Sequence, residues 1–500
     1  MERIIAPLKL RKLLKNISVT EIRGSKDVDI TGLTSDSKRV GPGNLFIAKK
    51  GLTVDGAQFI PEVIAAGASA VVTDFYNPFF SHITQVIHPN VAEIEAAIAK
   101  EFYGNPDHQL FLVGITGTNG KTTTAYLVRH LLEKKGKQCG LIGSIEWIVG
   151  KHVFPSTKTT PDLLQNYKLF HDMANRGCEN CVMEVSSHAL DQGRVESIEF
   201  DISVFTNLTQ DHLDYHATME EYGNAKAKLF SSLKKGTKKF LKTAVVNADS
   251  PYLGQMLAGY SGACIRYGLD HPCDLKATSL TLTPEGMEFD VNYRGQTQKF
   301  ASPLIGRYNV YNVLAAAGVG LARGLSLAEI AEALRRFSKV PGRLERVPNP
   351  HSFHVFVDYA HTEDALANVL TTLQELKKGR LITVFGCGGD RDKFKRAKMG
   401  AVAEKFSDLS IITSDNPRSE HPEEIIRSIL TGLKKPAQAL VIVDREEAIQ
   451  KAIQIARPKD IVLIAGKGHE NYQILAKETI QFDDRAVAMA ACRHKKKEPL

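Results

Sequence analysis

Five short apolar runs, at residues 355–357, 381–385, 409–413, 440–443 and 461–465, alternate with helical segments such as 363–376 and 422–433. Strand-length and helix-length segments in strict alternation predict a doubly wound, Rossmann-like parallel sheet for the last third of the chain. In such sheets ligands gather at the carboxyl ends of the strands. Just past those ends come Asp358-Tyr359-Ala360-His361, residues 386–392, Asp415-Asn416-Pro417-Arg418, Asp444-Arg445 and residues 466–470. Turn chemistry accounts for one or two strands that end in glycine, charge or histidine. Five point to a site along that edge.

At 500 residues the chain is too long for one core. Two polar, turn-rich stretches divide it: Gly104-Asn105-Pro106-Asp107-His108 and Lys339-Val340-Pro341-Gly342. We therefore expect an α/β protein of three domains: residues 1–107, 108–338 (a mixed or parallel sheet of the phosphate-loop type) and 339–500. In the first, strands and turns run through 30–40 and 43–48, with a helix at 60–66 and a strand at 70–73. The composition, 43% hydrophobic and 24% charged, is that of a globular protein. No run approaches the ~18 apolar residues of a membrane span, and the first 14 residues lack a signal-peptide core, so a cytoplasmic protein is expected. The net charge of +8 suits an anionic substrate without demanding nucleic acid. The dense basic cluster at 493–497 reads as a solvated, mobile tail. Seven cysteines in such a chain should be reduced thiols. Cys178 and Cys181 form a lone CxxC, placed in a helix-to-strand passage, without the second pair that zinc needs.

Between an apolar strand at 110–115 and a helix beginning near Thr122 lies Gly117-Thr118-Asn119-Gly120-Lys121-Thr122-Thr123. Glycines let backbone amides turn around phosphate oxygens, the helix N-terminus adds partial positive charge, and Lys121 reaches the terminal phosphates. The Thr122 hydroxyl is placed for Mg²⁺. The strict pattern wants glycine at 115, where Ile115 stands, and the glycine falls one position early at Gly114. The strand–loop–helix context still holds, because Tyr126, Leu127, Leu131 and Leu132 give the helix an apolar face.

In the helical segment 219–233, Lys226 falls inside the apolar stripe of Met219, Tyr222, Leu229, Phe230 and Leu233. A surface lysine would snorkel to water. A buried one has a lowered pKa, and a neutral amine can take up CO₂ as a carbamate, an anionic oxygen ligand suited to Mg²⁺. His212, in His212-Leu213-Asp214-Tyr215-His216, and Glu184, at a strand end before Val185-Ser186-Ser187-His188, offer further ligands.

Taken together, Gly117 to Thr122, Glu184 to His188, His212 to His216, Gly386-Cys387-Gly388-Gly389-Asp390-Arg391, Asp415 to Arg418 and Gly466-Lys467-Gly468-His469-Glu470 resemble the motifs of the Mur ligase family, in order and across nearly the whole chain. The resemblance implies an enzyme of cell-wall peptidoglycan synthesis, hence of cell shape and division. The first domain would bind UDP-N-acetylmuramoyl-L-alanyl-D-glutamate, the central one ATP with Mg²⁺, and the last meso-2,6-diaminopimelate. The γ-carboxylate of D-glutamate would take the γ-phosphoryl of ATP, and the incoming amine would displace phosphate from that acyl phosphate. By motif position, the resemblance makes Lys121, Lys226 and His212 catalytic. Lys226 is the carboxylated lysine (N6-carboxylysine), with Thr122, Glu184 and His212 beside it at the metal. Thr159, Thr160, Ser186, Gln192 and Arg194 match muramoyl-peptide contacts, and Ser35 and Ser37 the uridine-nucleotide pocket. Residues 52–54 depart from the family's more polar version and leave backbone contacts only. Lys158 stands where an asparagine is common. Asn309, Arg343, Asp358 and His361 match distal ATP contacts beyond the loop residues 117–123. The resemblance implies no nucleic-acid or membrane partner, and a monomer is expected.

Diaminopimelate and lysine differ by one carboxylate, which a guanidinium grips bidentately. Arg418 supplies that group within Asp415-Asn416-Pro417-Arg418, Arg391 supplies a second, and Gly466 and Glu470 match contacts to the distal amino-acid centre. Arg418 also stands near the start of a helix, where a surface arginine is common. Lysine addition, glutamate addition to folate and a non-catalytic nucleotide-binding regulator are the competing readings.

Overall fold

The computed structural model describes residues 6–51, 54–234, 238 and 240–495. The chain packs as two compact units. The first holds residues 1–121, 132–246 and 250–264, and the second residues 122–131, 247–249 and 265–500.

The first unit opens with five strands, β1 (Glu21–Arg23), β2 (Gly32–Thr34), β3 (Asn44–Ile47), β4 (Ala70–Thr73) and β5 (Thr84–Ile87), in the order β1-β5-β4-β3-β2. All pairs are parallel except β1 with β5. Helix α1 (Val91–Tyr103) follows and ends on Gly104 in the left-handed region at φ +73°. The expected open turn at 104–108 is instead partly helical, over Pro106–Gln109. Proline at the first helical position needs no amide partner and presets φ, which converts the turn signal into a helix start.

The same unit also holds β6 (Phe111–Thr116), which leads into α2 (Lys121–Leu132), whose residues 122–131 count with the second unit, then β7 (Gln138–Ile142), β8 (Glu146–Val149), β9 (His152–Pro155), α3 (Leu163–Asn175), β10 (Cys178–Glu184), β11 (Ile202–Phe205), α4 (Met219–Ser231) and β12 (Thr243–Asn247). Strands run in the order β9-β8-β7-β10-β6-β11-β12, parallel from β7 to β12 with an antiparallel hairpin at the β9 edge. Cys178 and Cys181 lie within β10, both buried, rather than in a passage before it. Burial pushes the Cys181 thiol well up, so it stays protonated and inert.

The second unit carries an antiparallel meander, β13 (Leu275–Thr283), β14 (Gly286–Tyr293) and β15 (Gln296–Ser302), and helices α5 (Arg307–Ala322) and α6 (Leu327–Arg335). Then come β16 (His354–Asp358), α7 (Glu363–Leu376), β17 (Leu381–Phe385), α8 (Phe394–Phe406), β18 (Leu409–Ile412), α9 (Pro422–Leu430), β19 (Leu440–Val441), α10 (Arg445–Ile455) and β20 (Ile461–Ala465). A small hairpin, β21 (Tyr472–Ile474) and β22 (Thr479–Gln481), precedes α11 (Asp484–His494). The strand order is β16-β20-β17-β18-β19, all parallel, with Glu345–Arg346 antiparallel on the outer edge of β16. Both faces are covered: Val355, Val357, Ile382, Val384, Val462 and Ile464 pack with α10 and α11, whereas Phe356, Leu381, Phe385 and Leu463 pack with α7, α8 and α9. Two apolar faces require continuous apolar strands, which is why these runs do not alternate.

Three expectations change at the edges. The strand expected at 440–443 shrinks to Leu440–Val441, which is exposed at the sheet edge. The helix expected over 422–433 ends at Leu430. The basic stretch at 493–497 is not a free tail where it is described, because Arg493 and His494 close α11 and Lys495 Nζ donates to Gln454 O at 2.8 Å and Ala456 O at 2.9 Å, the last carbonyls of α10. Lys496 and Lys497 lie outside the described residues.

Candidate active site

Past β6 the chain turns through residues 117–120 into α2. Gly117 has φ +149°, and a Cβ there would collide with Thr206 Oγ1, so only glycine lets the loop lie against residues 206–209. That segment clips the loop in place. Thr118 N donates to Asn207 O at 2.9 Å, Asn119 N to Asn207 Oδ1 at 2.9 Å, and Thr206 Oγ1 to Asn119 O at 2.6 Å. Thr118 Oγ1 lies 3.1 Å from the Tyr222 hydroxyl. Thr122 and Thr123, both buried, form the first turn of α2.

Two lysines converge on one carbonyl oxygen. Lys121 Nζ donates to Gly117 O at 2.9 Å and Thr118 O at 2.8 Å, and Lys226 Nζ donates to Gly117 O at 3.0 Å. Lys226 does not snorkel: it is 1% exposed, with its ammonium 4.5 Å from the centre of the Tyr222 ring. Burial first, and the Lys121 charge second, push the Lys226 amine well below the ordinary lysine range. An anion placed here would be drawn to the Lys121 charge.

Glu184, buried at the end of β10, accepts from Ser144 N at 2.9 Å and Ser144 Oγ at 3.1 Å. His212 sits at φ +55° before the short helix Leu213–His216. Its ring centre is 4.9 Å from that of His188, which is 5.5 Å from His216. Burial is the largest cause lowering all three imidazoles, so they are neutral and keep a lone pair for a ligand. Among the described residues no three His, Cys, Asp or Glu side chains converge as a metal site. By chemistry Glu184 would offer an oxygen donor and His212 a nitrogen donor, and Lys226 would offer oxygen only as a carbamate. That donor set is oxygen-rich and fits a hard cation.

The muramoyl-peptide candidates form one hydrogen-bonded chain. Thr159 Oγ1 lies 2.9 Å from Ser144 Oγ, Thr160 Oγ1 donates to Glu184 O at 2.8 Å and accepts from Ser186 N at 3.0 Å. Arg194 donates to Thr160 O at 3.1 Å and to Gln192 Oε1, and Gln192 donates to the Tyr215 hydroxyl at 3.1 Å. Ser35 lines a cleft of about 580 Å³ with Thr34, Asp36, Arg39, Tyr103 and Gln165. Ser37 is not part of that lining and starts the short turn Ser37–Arg39. Of the doubtful contacts at 52–54, Leu52 and Thr53 lie outside the described residues and Val54 is exposed.

The distal ATP candidates all lie in the second unit. Asn309 is buried in a ladder, donating to Ile305 O at 2.8 Å and accepting from Asn312 Nδ2 at 2.8 Å, while Thr124 Oγ1 of α2 donates to Asn312 Oδ1 at 3.3 Å. One N–H and the oxygen of its amide are therefore engaged inside the fold. Asp358 accepts from Leu344 N at 2.7 Å and Ala360 N at 2.8 Å, and burial raises its carboxyl. The Arg343 guanidinium lies 5.2 Å from the centre of the Tyr359 ring, and the His361 ring packs edge-on against the same Tyr359, 4.6 Å between ring centres.

At the carboxyl ends of β17, β18 and β20 the amino-acid candidates meet. Arg418, at φ +51°, donates to Gly389 O at 2.8 Å, and its backbone amide donates to Ile474 O at 3.1 Å. Gly389 is held against the turn so tightly that a Cβ would strike the Pro417 carbonyl oxygen. Asn416 Nδ2 donates to Glu470 Oε2 at 3.0 Å, and Gly466 abuts Asp415. Arg391 is exposed on the neighbouring turn. Sequence reasoning named Gly466 and Glu470 but passed over Lys467 between them, which is fully buried. The signal was a lysine between two glycines of a strand-end motif.

Glu420 locks this turn to α8. It accepts from Arg396 Nη1 at 3.0 Å, Arg396 Nη2 at 2.9 Å and Asp390 N at 2.6 Å. The Arg396 hydrogen bonds are the main cause holding its carboxyl down at about 2. Glu420→Ala should strand a buried guanidinium and lower stability by about 3 to 5 kcal/mol at pH 7, read as a lower Tm. Because the folded value lies below the unfolded one, this contribution is complete above about pH 5 and fades as pH falls towards 2. The gap between variant and wild type should therefore shrink across that window. An unchanged Tm at pH 7 would refute the lock.

A parallel strand feeding a phosphate-cradling loop, with a second doubly wound sheet bearing guanidinium and carboxylate groups at its strand ends, places the chain in the phosphate-loop α/β class of nucleotide-dependent enzymes. Sequence models of the Mur ligase family catalytic domain, the Mur ligase middle domain and the Mur ligase glutamate ligase domain match residues 29–103, 115–320 and 342–468. The chain is 44% identical to UDP-N-acetylmuramoyl-L-alanyl-D-glutamate–2,6-diaminopimelate ligase of Geobacillus thermodenitrificans, covering 98% of this chain and 100% of that one. It is 42% identical to the Bacillus cereus protein of the same name, covering 97% and 98%. A solved structure of a ligase with that name superposes with a TM-score of 0.71 at 30% identity, covering 97% and 99% of the two chains. MurF ligase of Thermotoga maritima, solved with ADP, shares the fold at 19% identity and a TM-score of 0.60, covering 92% and 96%. The chain belongs to the Mur ligase family. Among the described residues no helix is long and apolar enough to cross a membrane.

Proposed function

We propose that this chain joins meso-2,6-diaminopimelate to the D-glutamyl γ-carboxylate of UDP-N-acetylmuramoyl-L-alanyl-D-glutamate, with ATP, in the cytoplasmic synthesis of peptidoglycan precursor. The full-length relatives of that name support the reading, and the observation that carries it is the Arg418–Asn416–Glu470 constellation in a chain that also has the phosphate loop. Residues 1–107 hold the uridine nucleotide, 108–338 the ATP and 339–500 the amino acid, with the enzyme acting as a monomer.

The chain's own groups act mainly by position and charge. Amides of residues 117–123 and the Lys121 ammonium neutralise the transferring phosphoryl group. The Arg194–Thr160–Ser186 chain fixes the muramoyl peptide so that its γ-carboxylate faces that phosphate. Phosphoryl transfer gives an acyl phosphate, and the deprotonated amine of the amino acid then attacks the acyl carbon and expels phosphate. Glu184, His212, Thr122 and a carboxylated Lys226 would hold Mg²⁺, which would supply charge neutralisation at the phosphates. Lys226 would reach that form because burial first, and the Lys121 charge second, favour the neutral amine, which adds CO₂ with loss of one proton.

The test is phosphate release from ATP with the UDP-muramoyl dipeptide, with and without meso-diaminopimelate, L-lysine or L-glutamate. Release that depends on diaminopimelate is expected. Release with lysine alone would move the assignment to lysine addition, and none with any amino acid would sink it.

A further inference from the structure

Lys467 is the least expected charge in the second unit. Its side chain is 0% exposed, against 8% for Asp415 and 15% for Glu470 beside it. Its Nζ donates to Asn416 Oδ1 at 2.9 Å and Glu470 Oε2 at 3.2 Å and lies 3.6 Å from Asp415 Oδ1. Ile474 N also donates to Asn416 Oδ1, at 3.0 Å. Two donors on that oxygen fix the amide orientation, so Nδ2 must face Glu470, as it does. Glu470 Oε2 is thus held by two donors while its other oxygen is not engaged by them. Asp415 Oδ1 is buried with no hydrogen-bond partner among the described residues.

Beneath this knot the fold is braced. Arg445, fully buried, pairs with Asp484 at 2.7 Å through both Nε and Nη2 and donates to Ala465 O at 3.0 Å, the last carbonyl of β20. Arg445 and Asp484 neutralise one another, so the brace adds no net charge to the knot. What remains in the turns at 415–418 and 466–470 is two carboxylates, Asp415 and Glu470, against two cations, Lys467 and Arg418. The wall is neutral overall, with separated signs. A ligand centre that bears both an ammonium and a carboxylate matches it, the ammonium on Glu470 and Asp415 and the carboxylate on Arg418 and Asn416. A centre with only an ammonium would match a wall with excess negative charge.

We propose that Lys467 is a positioning and specificity-determining residue. By cancelling one carboxylate and orienting Asn416 and Glu470, it makes the site prefer a zwitterionic distal centre over a bare ammonium. This rests on the amino-acid site proposed above. It makes Lys467 a discriminator between diamino acids that differ by one carboxylate, without touching the reacting amine.

Lys467→Met and Lys467→Gln, the second keeping a donor without the charge, are compared with wild type for steady-state constants on meso-diaminopimelate and L-lysine. We expect the KM for diaminopimelate to rise at least tenfold and the kcat/KM ratio of diaminopimelate over lysine to fall at least tenfold. The kcat with diaminopimelate and the KM values for ATP and the UDP-muramoyl dipeptide should stay within about threefold. If the Met variant does not fold, the Gln variant decides. A folded variant with unchanged selectivity overturns the proposal, as does a loss in which Tm, kcat and all three KM values move together. Arg418→Ala and Glu470→Gln serve as controls. If they leave the diaminopimelate KM unchanged, the site itself is misplaced and this proposal falls with it. If they raise that KM while the Lys467 variants keep their selectivity, only the role of Lys467 is lost.

Discussion

Lys121→Ala is expected to lower ATP turnover by about a thousandfold, the scale seen when one preorganised donor to a developing charge is removed. The side chain donates to Gly117 O and Thr118 O, whereas the loop is clipped independently by Asn207 and Thr206. Removing it should therefore spare the loop backbone and leave Tm within a few degrees of wild type. A second consequence is electrostatic. Lys121 is the second cause of the depressed Lys226 amine, so its loss should let that amine regain some basicity. Phosphate release under saturating substrates and a thermal scan check both points. Turnover near the wild-type rate would remove the phosphate loop from the chemistry.

Legibility in the sequence followed the range of the forces involved. β17 and β20 match their expected bounds, 381–385 and 461–465, because central parallel strands are apolar on both faces and need no partner to be recognised. β19 is shorter than the expected 440–443 because regular pairing at this edge covers only Leu440–Val441, although Ile442 N still donates to Ile412 O at 3.1 Å and Ser414 N to Val443 O at 3.2 Å. Lys226 was legible from helical periodicity alone, since Tyr222, Leu229 and Phe230 mark the stripe in which it falls, and the fold buries all four. Its neighbour across the loop was not legible, because the shared acceptor Gly117 O lies 109 residues away. The same reason hid Ser144 beside Glu184 and Lys467 beside Asn416: each depends on a contact between distant segments that no local pattern encodes. Asn309 shows the opposite case. A motif position suggested a ligand contact, and the fold also uses the side chain, which donates to Ile305 O and accepts from Asn312, itself bonded by Thr124, so packing and contact share one residue.

Lys226→Ala should reduce ligation by about a hundredfold or more, and short carboxylates such as formate or acetate should restore part of it. The cavity left by a buried four-carbon side chain opens beside Tyr222 and Gly117 O, in a place where burial and the Lys121 charge disfavour an ammonium. If the working form were the ammonium, small amines would be the natural rescuers. If it is the carbamate, an anion with two oxygens is required, and a small carboxylate supplies the same charge and donor geometry. The sign of the rescuing ion therefore reads out the state of Lys226 in the active enzyme. Added bicarbonate should raise wild-type activity after the protein is stripped of CO₂ at low pH, because carbamate forms from the neutral amine and is lost as the amine is protonated. Rescue by methylamine instead of formate, or an alanine variant with full activity, would end the case for a carboxylated lysine while leaving the phosphate loop and the Arg418 site standing.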